Sequence, residues 1–236
     1  MTEMVSFSIP RRRVMLSLGL LMAAGGCIPA LANHAPAEAI PRARLTSMPP
    51  QVLVHTLDGF NKSSMEEDVS SAVAWEAERD LGDMVPEIGV RPAEHLALMT
   101  CGVICARLIR WGSLATLEIG LQREKIRNYG FHLVTNWRFR ADLSAARQAL
   151  DADYALFVVL KQTRQTTGRK VAQALGGGYT IGKQIDAACV ADLRDGRMIR
   201  CVSERDETGD IDDPGRLRQV LRTLLHRLFA PSPPNR

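Results

Sequence analysis

The run YALFVVL at residues 154–160 is apolar without interruption. A strand with one wet face alternates apolar and polar side chains, so an unbroken apolar strand is covered on both faces. Helices are the natural cover, and residues 213–229 spell one out. Asp213-Pro214 supplies a capping carboxylate and then a proline at the first helical position. Leu217, Val220, Leu221, Leu224, Leu225, Leu228 and Phe229 follow at helical spacing, with Arg216, Arg218, Arg222 and Arg227 on the opposite face. That basic face reads as solvated surface, with contact to anionic lipid as the alternative. Residues 185–193 and 198–202 flank Arg194-Asp195-Gly196, a hairpin signal. The expected fold class is α/β (α+β): a small mixed sheet flanked by helices, with a C-terminal β-hairpin followed by an amphipathic helix.

The first half is less regular. Residues 52–57 form a short β-rich run closed by Asp58-Gly59. Ser64 precedes Glu66, Glu67 and Asp68, acids suited to a helix N-terminus, and the helix is expected to run to about Leu81 with Gly82 as its stop. Pro86, Gly89 and Pro92 make residues 83–92 a loop. Residues 93–111 are apolar and helical in pattern, broken by Gly112-Ser113. Ser113 then caps a helix with Leu114, Leu117 and Leu121 on one face, ended by Gly130. Residues 131–135 read as a strand, and Asp142 caps a short helix with Leu143, Ala146 and Leu150 inward. Only 5% of residues are aromatic, so the core is expected to be mainly aliphatic.

At the N-terminus, Arg11, Arg12 and Arg13 precede an apolar run over residues 14–24. A basic segment before 7–15 apolar residues is the layout of an export signal, and the run is short for a membrane span. Arg12-Arg13-Val14-Met15-Leu16 also resembles the twin-arginine motif, so both export routes stay open. Two processing sites compete. Ala30-Leu31-Ala32 is a small-x-small site that would release a chain starting at Asn33. Ala24-Gly25-Gly26-Cys27 resembles a lipobox, in which Cys27 receives lipid, although Ala24 stands where leucine is usual. The expected organisation is a signal over 1–32 (1–26 if lipidated), a tether over 33–50, one α/β domain over 51–230, and a loose tail over 231–236. Half of the formal net charge of +4 lies in residues 1–32. The near-neutral remainder gives no electrostatic case for nucleic acid.

Three phrases, Gly130-Phe131-His132-Leu133-Val134, Ala152-Asp153-Tyr154-Ala155-Leu156 and Asp192-Leu193-Arg194-Asp195-Gly196-Arg197, look like those of a known group. They resemble the α/β domains of envelope lipoproteins of the curli-secretion CsgG, TolB N-terminal and penicillin-binding-protein-activator type. The stretch from Thr167-Gly168-Arg169-Lys170 to Gly209-Asp210-Ile211-Asp212-Asp213-Pro214 also looks like proteobacterial envelope proteins of no assigned activity. The resemblance covers about half the chain. It implies a periplasmic or outer-membrane-anchored binding or assembly module with an envelope protein partner, and it carries over no catalytic residue. A secretion-channel subunit is a further reading, but membrane hairpins would need alternating strands of about 9–11 residues. Residues 163–182 carry Arg164, Arg169 and Lys170 and then three glycines instead.

Cys189 and Cys201 fall directly opposite each other if Arg194-Asp195-Gly196 is a three-residue loop pairing Leu193 with Arg197. That register also sets Ala191 opposite Ile199 and gathers Leu193, Ala191, Ile199 and both cysteines on one face. A disulfide or two buried thiols would both suit the site. Cys101 and Cys105 sit one helical turn apart; with His95 they could make part of a zinc site in a periplasmic enzyme or metal-binding protein, but no fourth ligand is evident nearby. Buried small residues or a second redox pair suit them better. Gly177-x-x-x-x-Gly182-Lys183 approaches a phosphate-binding loop, yet Gln184 lacks the hydroxyl that holds magnesium and a strand follows. His55, His132 and His226 are scattered without a paired nucleophile, and the acidic stretch 204–213 lacks calcium-loop spacing. No catalytic residue, cofactor or resident metal is therefore expected.

Overall fold

The structure, a computed structural model, describes residues 41–58, 62–129, 137–166, 183–206 and 211–230. The central strand is β5 (Tyr154–Gln165), and every side chain from Tyr154 to Leu160 is buried. On one side it pairs in parallel with β1 (Leu45–Ser47) and β2 (Gln51–Leu57). These two are successive pieces of one strand line, parted where Pro49 and Pro50 cannot donate to the ladder. Short strands β3 (Ser63–Met65) and β4 (Arg91–Pro92) close that edge, antiparallel to β2 and parallel to β1 respectively. On its other side β5 pairs antiparallel with β6 (Lys183–Asp192), and β6 with β7 (Arg197–Asp206). The mixed sheet, its flanking helices and the C-terminal hairpin followed by a helix match the fold expected from sequence.

Two helices cover one face. The first, α1, runs Glu67–Glu87 and buries Val73, Ala77, Leu81, Met84 and Val85. The expected stop at Gly82 is wrong: the buried stripe continues past it, and the chain turns at Gly89 (φ 75°), where Gly89 N donates to Pro86 O and Val90 N to Val85 O. The other helix on this face is C-terminal, Pro214–Phe229 (α5 below). It buries the seven predicted residues, and Asp213 accepts hydrogen bonds from the Gly215 and Arg216 amides.

The opposite face is covered by α2 (His95–Cys101), α3 (Val103–Tyr129) and α4 (Ser144–Leu150). The chain breaks at Gly102 (φ 57°), where α2 and α3 meet at a 107° bend. No break occurs at Gly112-Ser113. Gly112 is there for close approach: a Cβ on it would lie 2.2 Å from Cε1 of Phe157 on β5. Residues 45–48, assigned to the tether from sequence, are instead buried and part of the sheet, with the Met48 amide donating to Leu156 O. The prolines that follow hid this strand. The predicted strand at 131–135 and helix stop at Gly130 lie outside the described residues. So do 1–40, 207–210 and 231–236.

Candidate functional site

The predicted hairpin forms with a different turn. Asp192 pairs with Arg197 around a four-residue loop, and Gly196 holds φ at 74°. Ala191 then faces Met198, and a bulge at Ile199 restores the register, so Cys189 still lies opposite Cys201 with Cα atoms 4.1 Å apart. Ile199 consequently packs with the α1/α5 face and Met198 takes its expected place beside the cysteines. The Cys189 and Cys201 sulfurs lie at disulfide distance, on the α3 side of the sheet.

Cys101 and Cys105 are likewise at disulfide distance, Cα atoms 5.5 Å apart, and span the Gly102 bend. Such a bond consumes both thiols that a zinc site with His95 would use. Among the described residues, no three His, Cys, Asp or Glu side chains converge on a metal position. His55 Nδ1 lies 3.3 Å from Ser63 Oγ, but among the described residues no carboxylate hydrogen-bonds to the ring; burial and Lys161 lower its pKa. Arg11, Arg12, Arg13, Cys27, Ala30, Ala32 and the glycine run 177–182 lie outside the described residues.

A cleft of about 760 Å³ opens between the β6–β7 turn, residues 137–143 and the middle of α3. Its aromatic wall is Trp111, set edge-on to Phe139 (5.2 Å between centroids) and to Phe157 (6.4 Å), with Leu143 and Leu193 beside it. Residues 137–139 are held by the turn: Phe139 N donates to Gly196 O (2.8 Å), and Arg138 Nε donates to Asp195 O (2.8 Å). Gly196 is required there twice over, by its φ and because a Cβ would sit 2.4 Å from Phe139 O.

The rim is mostly cationic. Arg194 is committed to Asp192 and to the Tyr154 hydroxyl (2.6 Å), and its guanidinium stacks over the Tyr154 ring. Asp142 accepts from the Ser144 amide and hydroxyl, which lower its pKa. Arg140 has no hydrogen-bond or ion-pair partner among the described residues and is exposed. The cleft is open to solvent and its lining is more polar than apolar, with the Trp111 indole as its main apolar surface. Sequence reading missed this site because Trp111, Trp137 and Phe139 come from segments with no shared periodicity.

A second feature was also missed. Asp186 on β6 is fully buried, with Gln184 Nε2 donating to its Oδ2 (2.8 Å). Its Oδ1 has no partner among the described residues. Burial pushes its pKa up to about 7, and Glu204 across the ladder adds to the rise while Arg216 from α5 opposes it. An aspartate inside Ile185-Asp186-Ala187-Ala188 was the available sequence signal.

No protein-family model matches the chain, and no curated protein matches it in sequence. Three solved structures are similar in chain course. Lipoprotein GNA1162 from Neisseria meningitidis is 11% identical over 80% of this chain and 97% of its own, with a TM-score of 0.33. The LpoB C-terminal domain from Salmonella enterica is 10% identical over 72% and 87%, with a TM-score of 0.29. The hypothetical protein CT253 from Chlamydia trachomatis is 12% identical over 78% and 90%, with a TM-score of 0.27. At such identities these likenesses bring no functional residue to this chain.

Proposed function

We propose that this chain is an exported cell-envelope protein, and that its α/β domain is a non-enzymatic module that binds another envelope component. The observation that carries this reading is cysteine pairing. All four cysteines after Cys27 fall into two pairs at disulfide distance, an arrangement that oxidising compartments maintain and the cytosol does not. Arg11, Arg12 and Arg13 ahead of an apolar run supply the matching export signal. Cys27 or the Ala30/Ala32 site supplies the processing step, leaving a periplasmic protein or one anchored at the outer membrane. The cleft beside Arg140 is the proposed partner surface.

Intact mass after expression and fractionation in a Gram-negative host tests the reading. A chain lipidated at Cys27 in the membrane fraction, or one starting at Asn33 in the periplasm, is expected, with four cysteines resistant to alkylation. An unprocessed cytoplasmic chain with all five cysteines free sinks it. Site-specific photocrosslinking at Arg140, with Arg222 on the far face as control, tests the cleft: equal yields at both positions would remove it.

A further inference from the structure

Helix α2 has the sequence HLALMTC, yet none of its residues is buried. It packs against α3 and α4 at the Gly102 bend and projects Leu96 (74% exposed) and Met99 (67%), followed by Val103 (73%) on the first turn of α3. Four of the six large apolar side chains found exposed among the described residues lie on α2 and α3, the fourth being Leu114. Scattered exposed apolar residues need no explanation, but a cluster at a protruding corner does.

The charge around the corner is one-sided. Between Glu94 and Glu118 there is no carboxylate, and α4, against which α2 packs, has none either. Val103, Arg107, Arg110 and Leu114 follow one stripe of α3, which puts the two arginines about 6 and 10 Å along the axis from Val103. Both arginines are exposed and neither has a hydrogen-bond or ion-pair partner among the described residues. The Cys101–Cys105 pair spans the bend, holding Leu96, Met99 and Val103 on one corner.

The described chain begins at the far end of β1 from this corner, where Arg42 Nη1 donates to Ile88 O and its guanidinium lies over the Phe229 ring. Pro41–Arg44 leads into β1, and β1 pairs with β4, whose end is three residues before α2; Ala93 N donates to Ser47 O (2.8 Å).

We propose that the α2–α3 elbow is a membrane-contact device for an anionic lipid leaflet. Leu96, Met99 and Val103 enter the boundary between headgroups and acyl chains, while Arg107 and Arg110 stay at the level of the phosphates with their stems lying along the apolar surface. This rests on the envelope reading above, which places the domain beside a membrane.

The experiment uses the exported chain carrying Cys27→Ser and processed to begin at Asn33, so that neither lipid nor the apolar run 14–24 contributes. The elbow's share is read as the difference between this parent and the elbow variants. Co-sedimentation is measured with phosphatidylcholine vesicles made with and without phosphatidylglycerol. The anionic vesicles are expected to bind roughly tenfold or more tightly than the neutral ones, given the gain near an anionic surface for each arginine. Substituting Leu96, Met99 and Val103 together by Ser is expected to lower binding to both vesicles by at least about tenfold. Arg107→Gln with Arg110→Gln is expected to abolish the preference for phosphatidylglycerol and spare the weak neutral binding. All five side chains are exposed, so an unchanged thermal midpoint checks folding. Equal binding by the serine variant, no binding at all, or an apolar corner that proves to hold two copies together by light scattering would each overturn the proposal. Failure here with correct processing in the mass measurement removes the elbow alone. Vesicle binding by a chain that is never exported removes the envelope reading instead.

Discussion

The two faces of the sheet are built on different terms. Beneath α1 and α5 lies a layer of Leu, Val and Ile in which long helices meet the strands, and every apolar residue of α5's stripe is buried. Beneath α3 and α4 the layer mixes Ala, Cys and Met with Leu, Ile119 and Phe157, with both cysteine pairs, a glycine pressed on Phe157, an open cleft and an apolar elbow left outside. The first face closes by periodic apolar burial. The second has small side chains that let α3 approach closely, and it keeps surface free for contact with something else.

Truncations should separate the faces most strongly. Leu221→Ala, in the closed layer, is expected to cost about 2–5 kcal/mol in chemical unfolding. Leu96→Ala on the elbow is expected to shift stability by no more than about 0.5 kcal/mol. A large loss at Leu96 would mean that the elbow is core and would end the contrast.

Next comes pH. The folded pKa of Asp186, near 7, lies above the carboxyl's ordinary value, so its neutral form favours folding below that ordinary value and the benefit is lost as pH rises through 7. Stability should therefore decline from about pH 4 to pH 7, by on the order of 4 kcal/mol at most. Asp186→Asn should flatten that decline. An unchanged slope would assign it to other groups.

The cysteine pairs should differ in the same direction as their loops. Replacing Cys189 and Cys201 by Ala is expected to cost about 3 kcal/mol, and replacing Cys101 and Cys105 about 2 kcal/mol, since the second pair closes a much shorter loop. Equal costs would point to strain rather than chain entropy. Asp153 should give the smallest effect. Arg44 and Arg147 hold its carboxylate at a pKa of about 2, yet both arginines are largely solvated, and Asp153→Asn is expected to cost less than about 1 kcal/mol.

What was legible in the sequence follows the same division. The α5 stripe, its Asp213-Pro214 cap and the unbroken apolar strand state their burial locally, and the structure reproduces them residue for residue. The cross-strand partnership of Cys189 with Cys201 was also readable, although a longer turn and a compensating bulge produce it. Glycines misled the reading, because their role depends on what lies opposite. Gly82 and Gly112 sit inside helices, whereas Gly89 and Gly102 turn the chain. Strand β1 was hidden by the prolines after it. The cleft was not readable, since Trp111, Phe139 and Arg194 meet only through tertiary packing.

The pairing of β1 and β2 with β5 sets an order of events. Apart from the short pairings with β3 and β4, residues 45–57 find their ladder partners at 154–165, about a hundred residues later in the chain. A ribosome or a translocon delivering this chain from its N-terminus releases α1, α2 and α3 before the strand they must cover exists. Until residue 165 has emerged, those helices have no sheet to fold upon. The first two-thirds of the polypeptide therefore travels as an unfinished half, and the domain closes late and all at once.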